Sequence, residues 1–264
     1  MSEIVIGLDP QIRLIGLALA ASSWPQREQA VLTHAVHPHA KRARQWLQVA
    51  KANAAIVSLD EQLANGASLA LLYEKGLVDE AWRGQLAGFA AETAVLTNFV
   101  PAHEAVWETA VAELRDIVVV DKLADFLHRL CRETAVPPIY IHPNLLYPAL
   151  TPVLAKTETA WHLLVPPPKA VGESPPWPYA EDPGWVVAQL CAALLPGLLS
   201  IPAEPDGWLH ALTAVCLGEL VDDFEAQAYT LRSKKQHKLP HLPQMVAQVE
   251  AYLAGEVTLW ELAS

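Results

Sequence analysis

The sequence predicts a mainly helical α+β fold with a small sheet near the middle of the chain. Apolar residues recur at three- and four-residue spacing along the N-terminal half and again toward the C-terminus. Between these regions, about 137–165, prolines alternate with short runs rich in branched and aromatic residues, the pattern of strands. Hydrophobic residues make up 52% of the 264 residues, which excludes a disordered chain and predicts one sizeable core.

The elements follow in order. Ile4 to Leu8 is a short apolar run that suits a strand. Asp9 then Pro10 supplies an N-cap and a first-turn proline, opening a helix through about Ala21. His37-Pro38 starts another, continued by KRARQWLQVAKA. Residues 58–75 read as short helices broken near Asn65-Gly66, and 78–93 and 101–117 as amphipathic helices. Asp121 is expected to cap a helix to about Arg132. The segments IYIH, LTPVLA and TAWHLLVP read as strands, and 166–168 and 175–183 as proline-rich loops. Helices are expected at 184–195, 206–232, 243–254 and 256–262, with the basic turn SKKQHK after the second. No repeat or convincing linker divides the chain. It is expected to form a single domain, 1–264, with a helical part (1–134), a sheet and two helices (135–232) and C-terminal helices (233–264).

Composition narrows the function classes. Eighteen basic residues stand against 29 acidic ones, a net charge of −11 that repels phosphate backbones, so no nucleic-acid partner is expected. Cys131, Cys191 and Cys216 are odd in number and far apart, which argues against a disulfide framework and for a reducing, cytoplasmic location. The N-terminus has no basic region of a signal peptide. The uncharged window between Asp182 and Glu204 is long enough to span a bilayer. Pro196, Pro202 and Gln189 interrupt it, and proline inside a helix costs about 3 kcal/mol. A buried core helix ending near Pro196 is expected instead, and no membrane partner.

No glycine-rich phosphate loop and no GxSxG elbow occurs. His34, His37 and His39 form the densest histidine cluster, but Pro38 breaks any i, i+4 ligand spacing, so a polar loop leading into a helix is expected. Lys234, Lys235, His237 and Lys238, with His241, read as a solvated connection favoured by a helix C-terminus. Glu219, Asp222 and Asp223 fall on one face of the expected 206–232 helix.

Several segments, taken together, resemble a bacterial family of gluzincin-type zinc metallopeptidases described as a domain of unknown function. They are DPQIRLIGLALAAS, HPHAKRARQWL, FAAETAVLTNFVPAHEAVWETAVAEL (with Asn98-Phe99, His103 and Trp107) and IYIHPNLLYPAL. The resemblance implies a metallopeptidase scaffold whose catalytic helix carries HExxH, two zinc-binding histidines around a water-activating glutamate. This chain has DPGWVVAQLCAALLP there, with Val187 and Ala188 in place of His and Glu and Cys191 in place of the second His. Val and Ala offer no donor atom for zinc, and Ala no proton acceptor. GELVDD matches the third-ligand helix, with Glu219 as ligand and Asp223 beside it. The resemblance thus implies a catalytically inactive relative, with no catalytic residues, metal or cofactor, that binds a peptide or protein partner along a sheet edge and the Glu219 helix. Two alternatives stand beside it: an active metal-dependent hydrolase with a non-standard ligand set, such as His142, His162 and Glu219, and a structural or oligomer-forming protein whose Trp residues make an interface.

Overall fold

A computed structural model describes residues 3–25, 36–132, 135–146, 151–168, 176–199 and 205–257. They fall into two compact units. One comprises Val5–Leu114 and Ile139–Glu181; the other comprises Met1–Ile4, Arg115–Pro138 and Asp182–Ser264. The first is called the sheet unit below, and the second the helical unit.

The sheet unit carries the α+β character. Among the described residues, β1 (Ile4–Ile6), β2 (Ile139–Pro143), β3 (Val153–Lys156) and β4 (Trp161–Val165) form one mixed sheet in the order β1-β2-β4-β3. β2 runs parallel to β4 with Tyr140 opposite His162, and β3 runs antiparallel to β4 with Val153 opposite Leu164. Helix α1 (Pro10–Ala21) begins as its sequence requires: the Asp9 carboxylate accepts from the N–H groups of Gln11 and Ile12 at 2.7 and 2.9 Å. It is apolar all round, buried continuously from Leu14 to Ala21, and so lies inside the unit. Around it pack α2 (Pro38–Trp46), α3 (Ala54–Ala64), α4 (Leu69–Val78) and α5 (Glu80–Thr93). Gly76 lets α4 come close to α1, because a Cβ there would collide with Ile15. A left-handed Ala94 (φ 50°) and a π-helical turn, Val95–Phe99, then lead toward α6 (Glu104–Ile117).

In the helical unit α7 (Val120–Cys131), α8 (Pro183–Leu198), α10 (Asp223–Gln236) and α11 (Leu242–Ala254) pack against α9 (Pro205–Leu220). Ala211 through Leu217 of α9 are all buried, as its central place demands.

Several expectations change at element ends. The expected 206–232 helix is two helices. Asp222 leaves helical geometry and its carboxylate accepts from the Glu225 N–H at 2.8 Å, so it caps α10 and breaks the chain at 221–222. Asp121 does not cap α7; it lies in the first turn, and Val119 precedes the helix without a side-chain cap. Helix α8 continues past Pro196 to Leu198, since a proline in the last turn forfeits only one internal hydrogen bond. The basic turn begins inside α10, which runs to Gln236 before Lys238 turns left-handed (φ 55°). Among the described residues, no helix is long and apolar enough to cross a membrane. The expected 256–262 helix falls largely outside the described residues.

Candidate functional site

The positions that the peptidase resemblance singles out lie in the helical unit. Val187 and Cys191 are one turn apart on the buried face of α8, 0% and 3% exposed, whereas Ala188 is half-buried. The Cys191 thiol faces that of Cys216 on α9, and burial next to this second thiol pushes Cys216 well above the ordinary thiol range. All three cysteines are free and buried. Glu219 lies one turn beyond Cys216 and is bound to Arg129 of α7, which also holds Asp125 at 2.9 Å. Asp223 does not share that environment: the break at Asp222 puts it, exposed, in the first turn of α10. The helix pair therefore buries Val187, Cys191 and Cys216, with the two thiols hydrogen-bonded to each other, while Glu219 lies near Cys216 and bonds Arg129.

In the sheet unit, His37 and His39 turn their nitrogens to different partners, and His34 lies outside the described residues. The His39 backbone N–H donates to His37 Nδ1 at 3.1 Å, capping α2. Burial, reinforced by Arg42, lowers the His37 pKa to about 4. At neutral pH its ring is thus uncharged, with Nδ1 accepting and the proton on Nε2. His39, 2% exposed, accepts at Nε2 from the Trp107 indole at 3.0 Å. Burial, reinforced by the neighbouring His103, His37, Arg42 and Arg13, lowers its pKa to about 3. Phe99 and His103 complete this packed group, their rings 4.2 Å apart. Asn98-Phe99, His103 and Trp107 thus include the interior partners of α2.

The parallel register of β2 and β4 joins two more sequence candidates. His142 Nδ1 donates to the Gly7 carbonyl at 2.9 Å, leaving Nε2 to accept from His162 Nδ1 at 3.2 Å. The stacked rings are 5.5 Å apart, and Tyr140 stacks on the other side of His162 at 5.1 Å. Burial lowers the pKa of His142 to about 4 and also lowers that of His162. His162 keeps a lone pair on Nε2 and lines a groove of about 650 Å³ with Lys75 and Lys156. Of the suggested set, His142 and His162 lie in the sheet unit and Glu219 in the helical unit; among the described residues, no group of three or more His, Cys, Asp or Glu that could hold a metal ion is present. The β3 edge is also engaged in part, since the Lys156 N–H donates to Glu74 at 2.9 Å.

A cleft of about 320 Å³ combines apolar walls with polar groups that retain unused bonding capacity. Pro167, Pro176, Trp177 and Pro178 form one wall, and Val106, Ala110 and Leu145 face it. The Trp177 N–H closes its loop by donating to the Pro168 carbonyl at 3.0 Å. Tyr179 anchors this wall: its hydroxyl donates to the Val165 carbonyl at 2.7 Å and accepts from the Asn144 N–H at 3.2 Å. Burial pushes its phenol far above the ordinary range. Glu113 accepts from the Tyr179 N–H at 2.8 Å, so its carboxylate is fixed at the cleft with lone pairs to spare. His37 is the other polar group, presenting an Nε2–H donor. A fixed carboxylate acceptor and a neutral imidazole donor match the N–H and C=O of a peptide unit, with apolar surface beside them for a side chain. Sequence reading singled out His37 but missed Glu113 and Trp177; the run PPWPY was a local signal for Trp177, and Glu113 had none.

Comparison with protein-family models, with curated proteins and with solved structures finds no match to this chain.

Proposed function

We propose that this protein is a catalytically inactive, metallopeptidase-like protein that binds an extended peptide segment of a partner in the cleft between Trp177 and α6. One observation carries the binding reading: Glu113 and His37, one acceptor and one donor, line the same largely apolar cleft, and both groups are held in place by backbone hydrogen bonds. Three prolines stiffen the wall, so little ordering entropy is lost when a ligand enters. The donor-poor pair Val187 and Ala188 supports the absence of peptidase chemistry in the same chain.

The test is selection from a random peptide library, followed by affinity measurement on the purified chain. Glu113→Gln keeps an acceptor for the Tyr179 N–H but removes the charge, and it should weaken the selected peptide about ten-fold. Retention of full affinity in this variant and in Trp177→Ala would place binding elsewhere. The lineage is tested separately. Val187→His, Ala188→Glu and Cys191→His together should create zinc binding that Glu219→Ala weakens. A folded triple variant without zinc affinity would refute the peptidase ancestry and leave the cleft untouched.

A further inference from the structure

Helix α10 is attached to its own unit along one side. Ser233 is the residue it buries. On the opposite side stand Phe224, 75% exposed, and Leu231, 67% exposed. At about 100° per residue these two lie on one line, two turns and about 10 Å apart, with Ala228 between them. A Phe and a Leu set in register toward water make an apolar stripe without a partner among the described residues.

Charge is sorted along the same helix. Asp223 and Glu225 stand in its first turn, and Arg232 and Lys234 near its end. Around the helix, Asp223 and Lys234 flank the stripe on one side; on the other stands Arg232, since the Glu225 carboxylate turns back against Gly184 of α8. Two copies of α10 packed face to face about a two-fold axis run antiparallel, and each flank stays on its own side. Asp223 of one copy then meets Lys234 of the other, and the two-fold axis repeats the pair. The pair and its symmetry mate are centred between Ala228 and Tyr229, which sets one register. That register seats Phe224 between Leu231 and the Lys235 stem of the second copy. It also sets Ala228 against Ala228, where a small side chain lets the backbones approach. A parallel pairing would instead set acid against acid and base against base.

We propose that α10 is the contact face of a symmetric homodimer whose other half is the same helix of a second copy, running antiparallel. The surface belongs to the helical unit and is independent of the peptide cleft. A 14-residue helix is about 21 Å long, short for a standard interface, so the dimer is weak and concentration-dependent.

Sedimentation velocity on the purified full chain, from about 1 to 300 µM, brackets the affinity such an area supports. A monomer–dimer equilibrium is expected. Phe224→Glu, which alters an exposed side chain and leaves the helical circular dichroism intact, should weaken it more than about ten-fold. Asp223→Lys and Lys234→Asp should each weaken it about three- to ten-fold, and the two together in one chain should restore it. Wild-type protein that stays monomeric throughout would overturn the proposal. So would a dimer indifferent to Phe224→Glu, or a double charge exchange that fails to recover, since either outcome places the contact on another face or in another orientation.

Discussion

The α8–α9 contact and the Trp177 cleft differ in what their polar groups have left to offer. At α8–α9, Val187 and Cys191 are buried, the Cys191 thiol is taken up by that of Cys216, and Glu219 is bound to Arg129. At the cleft, Glu113 and His37 are each fixed by one backbone hydrogen bond and keep further capacity toward open space. The first region resembles a site by its place in the sequence, and the second has the properties of one. A binding site is marked by positioned groups with unused bonding capacity, and motif order does not report that.

The largest expected effect separates the two regions by stability. Val187→Asp puts a charge where there is no donor and no solvent, and it should lower the unfolding free energy by about 4 kcal/mol or more. Glu113→Gln should cost less than about 1 kcal/mol, because the amide oxygen still accepts from the Tyr179 N–H. Chemical denaturation of both variants measures the contrast. Equal losses would erase the distinction between a sealed contact and a site.

A smaller effect comes from acid. His39 and His142 have folded pKa values of about 3 and about 4, below imidazole's ordinary 6.5. The unfolded chain therefore takes up protons near pH 6.5 that the folded chain refuses. Their stabilisation is complete above that pH and is lost as the pH falls toward 4. Between pH 7 and pH 5 each ring should account for about 2 kcal/mol of lost stability. Denaturation at the two pH values, repeated with His142→Gln, checks the sign and the share; a His142→Gln variant with an unchanged pH slope would contradict a neutral, buried His142.

Much of the fold was legible because its signals are local. Asp9-Pro10 caps α1 as read, and the strand-like runs around 139–165 became β2, β3 and β4. The break at Asp222 was hidden because an aspartate inside an apolar-periodic run can serve as a helix surface residue or as a cap. Only the tertiary packing of α9 and α10 decides between them. The histidines of β2 and β4 were recognisable singly, but their hydrogen bond needs the parallel register that sets Tyr140 opposite His162. The cleft was illegible for the same reason on a larger scale. His37, Glu113 and Trp177 come from three distant segments, and each alone reads as a cap, a helix surface acid and a loop aromatic.

The central claim is that ligand recognition resides at the cleft and not at α8–α9. Indole N–H signals report on both regions in one experiment, since Trp177 lines the cleft while Trp185 and Trp208 lie on α8 and α9. Titrating ¹⁵N-labelled protein with the tightest library peptide should shift the Trp177 signal and leave those of Trp185 and Trp208 in place. Shifts at Trp185 and Trp208 with an unmoved Trp177 would contradict the account and return recognition to the helices that resemble a peptidase.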